Sequence, residues 1–150
     1  MEVVRFVALA IAGLSPLAAA EFTLTIANPI AANIARMKSA GIAVRLENCA
    51  DLSKATLTGT GEGTAAGVRK SVSLQVTPGA IPGVYAVGLT APLEGAWVAS
   101  LKATCGKELS GAIVPFRGPA FVRDAVKVLP RFATEREIHN ALNETTGGPK

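Results

Sequence analysis

The stretch GVYAVGLTAPLEGAWVASLKATCG, Gly83 to Gly106, decides the fold class of this chain of 150 residues. It contains the only Tyr and the only Trp of the sequence and one of its two Cys residues. In its second half, Trp97, Leu101 and Cys105 occupy one face of a period-two pattern and Lys102 occupies the other. We therefore interpret the stretch as part of the wall of a small β-domain, with a cysteine at its end, rather than as a reactive site.

Working outward, five further segments show strand patterns, because apolar residues alternate with polar ones or β-branched residues dominate. Gly and Pro turn residues separate most of them. With GVYAVGL and AWVASLKAT the predicted strands are Phe22–Asn28, Ile42–Asn48, Ala55–Gly63, Ser71–Val76, Gly83–Leu89, Ala96–Thr104 and Gly111–Gly118. Short strands at even spacing are typical of an all-β sandwich, in which antiparallel sheets keep one face in water.

The same alternation predicts the core. In SVSLQV, Val72 and Leu74 share one face, and in GVYAVGL the side chain of Tyr85 lies just after a Pro-Gly turn. Tyr85 is expected to hydrogen-bond back over that corner. The predicted core residues are Trp97, Leu101, Tyr85, Val72 and Leu74.

The N-terminus has the pattern of a secretory signal peptide. Arg5 precedes the apolar run Phe6–Leu14, and Ala18–Ala20 supplies the small side chains of a cleavage site. The run is too short to span a bilayer as a helix. We predict a signal peptide at 1–20 and no stable membrane span after its cleavage. Retention of the segment as an N-terminal anchor is the alternative.

An exported chain with two cysteines is expected to form one disulfide, here Cys49–Cys105. Cys49 would share the outward face with Arg45 if its strand ran on unbroken. The strand is therefore expected to end near Glu47, with Cys49 in the following turn. The chain-entropy model gives such a bond about 4 kcal/mol.

The C-terminal part shows a helix signal. Thr134 and Glu137 form a capping-box pattern, and a helix is predicted over Glu135–Leu142, with Ile138 and Leu142 on its docking face. Phe121–Leu129 is predicted to form another strand, with an apolar extension of the domain as the alternative. The domain is predicted to cover 21–142, with a flexible tail at 143–150. Pro29–Ala40 is left open as a short helix or a long connection.

No catalytic or metal-binding pattern stands out. His139 is the only His and Met37 the only Met after the signal peptide, too few for a copper site. Catalytic residues, metal ligands and cofactors are therefore all predicted as none. The net charge of +4 is spread along the chain, which argues against nucleic acid as a partner. Arg69 and Lys70 are the candidate partner-binding residues, although a solvated hairpin tip is the favoured interpretation of the pair.

Four segments resemble known sequences. PGVY (Pro82–Tyr85) followed by PLEGAWVASL (Pro92–Leu101) is similar to the last two core strands of exported immunoglobulin-like domains, notably the YtkA-like and FixH-like group. More broadly, RMKSAGIAVRLENCAD (Arg36–Asp51) and TEREIHNAL (Thr134–Leu142) resemble exported bacterial proteins of unknown function. The resemblance implies an immunoglobulin-like sandwich of about seven strands. Metal-handling relatives would imply His and Met ligands, which are lacking here.

These observations predict a periplasmic or secreted protein that acts as a non-catalytic interaction or accessory module, with an unidentified envelope protein as its partner. Exposed strand edges would be its docking surface. The alternative is a carrier that delivers a small ligand or a metal to an envelope enzyme.

Overall fold

The computed structural model describes residues 20–27, 41–65, 67–89, 95–118 and 120–146. Within them the chain forms nine strands and one α-helix. They are β1 (Thr23–Ala27), β2 (Gly41–Glu47), β3 (Ala55–Ala65), β4 (Val68–Pro78), β5 (Val84–Leu89), β6 (Ala96–Cys105), β7 (Glu108–Arg117), β8 (Ala120–Phe121), β9 (Lys127–Leu129) and α1 (Glu135–Thr146). The predicted signal peptide, apart from Ala20, and the open segment Pro29–Ala40 lie outside the described residues.

The strands build two antiparallel sheets that share one strand. The first sheet has the order β1-β2-β5-β4 and the second has β4-β3-β6-β7-β8, with β9 also paired to β7, so β4 belongs to both. The first half of β4 pairs with β3 and its second half, from Leu74 onward, pairs with β5. When β1 to β7 are lettered A to G in chain order, the strands form the ABED and CFG sheets of the immunoglobulin fold. The prediction of an immunoglobulin-like β-sandwich with a short C-terminal helix is confirmed.

The main core lies between the sheets and follows the predicted alternation. Leu101 is fully buried, and Leu74 reaches it across Gly59, where a Cβ would stand 2.9 Å from the tip of either leucine. The largest fully buried side chains of this core are Trp97, Phe116, Leu101, Ile42, Val44 and Val87. Every second residue of a strand points to the same face, so these segments bury their apolar residues by forming strands. Each inward side chain removes apolar surface from water, which stabilises the sandwich.

A second core lies on the outer face of the β6–β7 sheet. Val98 and Ile113 are buried there against Ile138, Ala141 and Leu142 of α1. The expectation of one wet face is wrong for this sheet, because the helix covers it. The predicted docking face of the helix, Ile138 and Leu142, is confirmed.

The capping box forms as predicted. The backbone N–H of Glu137 donates to Thr134 Oγ1 at 3.2 Å, and the N–H of Thr134 donates to Glu137 Oε2 at 2.7 Å. The helix runs to Thr146 rather than ending at Leu142. Residues 143–146 are therefore a helical turn and not a flexible tail, because Thr145 is buried and donates to the carbonyl of Ala141.

The segment before the helix differs from its prediction. Instead of one strand over Phe121–Leu129, the chain forms β8, a short 3-10 turn at Arg123–Ala125 and β9. It then crosses β7 at Gly111, where an added Cβ would meet the Arg131 carbonyl at 2.5 Å. Ser110, fully buried, donates to the carbonyl of Leu129 at 3.0 Å. These contacts hold the crossing segment directly on the sheet.

Candidate functional site

The structure places most of the predicted core residues in the core. Trp97 stacks on Phe116 with ring centroids 4.0 Å apart, and its Nε1 donates to the carbonyl of Gly118 at 3.1 Å. Trp97 therefore has its polar atom satisfied inside the fold. Leu101 and Leu74 are buried in the same core.

Val72 and Tyr85 are only half-buried, although both pack against the core. Tyr85 lies opposite Val44 in the β2–β5 pair and opposite Pro78 in the β4–β5 pair. Its hydroxyl makes no hydrogen bond with any described residue. The predicted bond over the corner is therefore not observed within that part of the chain.

Cys49 and Cys105 form the predicted disulfide, with their Cα atoms 5.8 Å apart. Cys105 is the last residue of β6, and Cys49 lies two residues past β2, after Asn48 with its positive φ of 63°. The expectation that Cys49 lies in the turn is confirmed. The bond joins the strands that correspond to B and F of the immunoglobulin fold, and it fits an extracellular or otherwise oxidising location.

The disulfide lies at the end of the sandwich where three loops meet. We call this end the disulfide end and define it by the loops 48–54, 79–83 and 106–107. Backbone hydrogen bonds connect these loops to neighbouring segments. The N–H of Leu46 in β2 donates to the carbonyl of Gly83 at 2.8 Å, and the N–H of Gly106 donates to the carbonyl of Lys54 at 3.4 Å. Residues Leu52–Lys54 form a 3-10 turn, which Asp51 caps by accepting from the N–H of Ser53 at 3.0 Å. The loops are thus held in one arrangement.

Exposed aliphatic side chains are concentrated there. Leu52 is 38% exposed and Ile81 is 58% exposed. Leu52 packs over Gly83, two residues beyond Ile81, so the two side chains belong to neighbouring loops. Leu109, also exposed, follows the Cys105–Glu108 pair by one position.

Arg69, a predicted partner-binding residue, already forms ion pairs within the chain. Its guanidinium NH2 lies 2.5 Å from Glu135 Oε1 and 3.5 Å from Glu62 Oε2. Glu62 is buried and also accepts from Ser71 Oγ at 2.9 Å. Sequence reasoning missed this cluster, because only the pairing of β3 with β4 brings Glu62 opposite Ser71.

Lys70 and its neighbour Val68 remain exposed. They lie at the β3–β4 hairpin, at the opposite end of the sandwich from the disulfide, and Val68 is 68% exposed. We call Val68–Lys70 the hairpin tip. Within the described residues, Val68–Ser73 pairs with β3 on one side only. This part of β4 is therefore an edge strand.

The remaining candidates for a functional site are the single histidine and a small surface cavity. His139 is exposed on α1. The described residues contain no group of three His, Cys, Asp or Glu side chains suited to hold a metal ion. Among the same residues, no helix has the length and apolar character needed to cross a membrane. A surface cavity of about 70 Å³ lies between α1 and β7, lined by Arg117, Lys127 and Glu144. It is small beside ligand pockets of about 300–1,000 Å³.

Comparison with known proteins finds no matching family model, no matching curated protein and no matching solved structure. The resemblance to the YtkA-like and FixH-like group therefore stays a prediction.

Proposed function

We propose that this chain is a periplasmic or secreted, non-catalytic interaction module whose docking surface is the β4 edge at the hairpin tip. The observation that carries the proposal is that Val68–Ser73 of β4 pairs with β3 on one side only within the described residues, and that Val68 in this segment is largely exposed. An edge strand offers unpaired backbone groups to an extended segment of a partner.

The side chains of this edge indicate which segment would fit. Val68 offers an apolar contact and Lys70 a cation, while Arg69 is held on the other face by Glu62 and Glu135. Antiparallel pairing with a second copy would bring the cations of two hairpin tips together, which disfavours self-association. The favoured partner is therefore an extended segment of an envelope protein that carries acidic residues.

The test uses a photo-crosslinking amino acid at the position of Val68 in the full-length, tagged chain, followed by mass spectrometry of the adducts formed in cells. Lys70→Glu is introduced to repel an acidic segment, and Lys107→Glu is the matched control, since it makes the same charge change at the disulfide end. We expect one recurrent envelope protein in the wild type and in Lys107→Glu, and its loss in Lys70→Glu. A recurrent adduct that survives in Lys70→Glu would exclude the docking surface, and no specific adduct at all would favour the small-ligand carrier.

A further inference from the structure

The β4 edge presents two different faces to a partner. Successive side chains of a strand point to opposite sides. The inner face, which lies on the same side as the core residue Leu74, is formed by Val68, Lys70 and Val72. The outer face is formed by Arg69, Ser71 and Ser73. Within the described residues β5 pairs with β4 from Leu74 onward, so the stretch 68–73 is the part of the edge on which a partner strand would pair.

On the outer face, side chains of β3 already contact those of β4. Glu62 lies opposite Ser71 and accepts from its hydroxyl at 2.9 Å. Arg69 reaches the same carboxylate at 3.5 Å and also pairs with Glu135 of α1. Because these polar groups are paired within the chain, the outer face has little left with which to select a partner.

On the inner face, β3 places glycines opposite the side chains of β4. Gly63 lies opposite Lys70, and Gly61 lies opposite Val72. Neither side chain therefore has a cross-strand neighbour on β3. Lys70 is exposed, and no ion pair among the described residues includes it. Since cross-strand side-chain pairs stabilise and select strand pairing, a strand added at this edge would be selected on the inner face.

The geometry points to a partner segment with an aliphatic, an acidic and a second aliphatic residue at alternate positions, opposite Val72, Lys70 and Val68. This inference rests on the proposed function and adds the pattern by which the edge selects its partner. Lys70 and Val72 gain the cross-strand neighbour that β3 does not provide, and Val68, 68% exposed, is covered. The residues between these three lie over the outer face and vary among polar types. The pattern reads the same in both chain directions, so it applies to parallel and antiparallel pairing.

Titration of the purified, isotope-labelled full-length chain with peptides tests the pattern, and the amide shifts in NMR spectra report both the affinity and the place of binding. Three capped peptides are the probes. STITETITS carries the pattern, STTIEITTS has the same composition with both Ile residues on the face opposite to Glu, and STITKTITS has Lys in place of Glu. We expect STITETITS to shift the amides of β4 and to bind about tenfold more tightly than either of the others.

Lys70→Glu should reverse the preference between the Glu and the Lys peptide. Lys107→Glu, the matched charge change at the disulfide end, should keep the wild-type order. Both lysines are exposed, so both variants should keep the wild-type unfolding temperature, which is measured alongside.

Equal binding of STITETITS and STTIEITTS would overturn the alternating pattern. A Lys70→Glu variant that still prefers the Glu peptide would overturn the part played by Lys70. If none of the peptides binds, the inference is overturned, whereas a recurrent adduct at Val68 in cells, lost in Lys70→Glu, would still support the docking surface itself.

Discussion

Arg69 of β4 forms an ion pair with Glu135 in the first turn of α1, and the same guanidinium reaches the buried carboxylate of Glu62. One side chain therefore connects the β3–β4 hairpin to the helix that covers the second core. A residue that looks from the sequence like a free surface cation is here part of the packing of the helix.

We expect Arg69→Ala to destabilise the domain by about 1–3 kcal/mol, because it leaves the Glu62 carboxylate buried without its cation. Urea unfolding measures the change. Lys70→Ala removes an exposed cation from the next position and should stay within about 0.5 kcal/mol of the wild type. Adding Glu62→Gln to Arg69→Ala should restore part of the loss; a double variant no more stable than Arg69→Ala would show that the buried charge is not the cause.

Replacing both Cys49 and Cys105 by Ser should cost about 4 kcal/mol, since the disulfide closes a loop with a sequence separation of 56. The wild type measured with a reducing agent should fall to the stability of the double variant. If the denaturant midpoint is the same in oxidised and reduced protein, the bond does not contribute to stability.

Gly111→Ala should destabilise the domain by about 1–3 kcal/mol, because the new methyl group would meet the backbone of the crossing segment at Arg131 and Phe132. The displacement should also loosen the start of α1, which follows a few residues later. Thermal unfolding followed by circular dichroism measures both effects. Ser73→Ala on the exposed face of β4 is the control, and an equal effect in both variants would contradict the close approach.

The decrease in the free energy of unfolding at acidic pH should depend on Glu137. Hydrogen bonds from Arg131 and from the N–H of Thr134 lower the pKa of Glu137 from 4.5 to about 2 in the folded protein. The unfolded chain takes up this proton first, so the stabilisation is complete above about pH 4.5 and is lost as the pH falls toward 2.

Urea midpoints of the wild type and Glu137→Gln should therefore differ at neutral pH and converge as the pH falls through that window. A difference that stays constant across the window would mean that the carboxylate gains nothing from Arg131 and Thr134 in the fold.

Patterns within single segments predicted much of the fold. The alternation in β6 identified Trp97 and Leu101 as inward residues, and the capping box located the start of α1, because both depend on neighbours in the sequence. The end of α1 was placed four residues early, although Gly147 and Pro149, just after Thr146, are the residues that typically follow a helix end.

Features that depend on two segments meeting were missed. Val98 and Ile113 are buried on the outer face only because α1 packs there. Glu62 is buried only because Ser71 and Arg69 face it from β4. The disulfide was predicted because only two cysteines were available, whereas the hydrogen bonds that connect the three loops around it belong to the folded backbone and leave no mark in the sequence.

The passage of β4 from one sheet to the other has a mechanical consequence. A tension applied at the hairpin tip runs along the β4 backbone, and both sheets bear it through main-chain hydrogen bonds. Sliding of the sheets over one another would have to break those bonds as well as the side-chain contacts of the core. A domain held at the disulfide end and pulled at the hairpin tip should therefore unfold as one unit, with both sheets breaking in a single event.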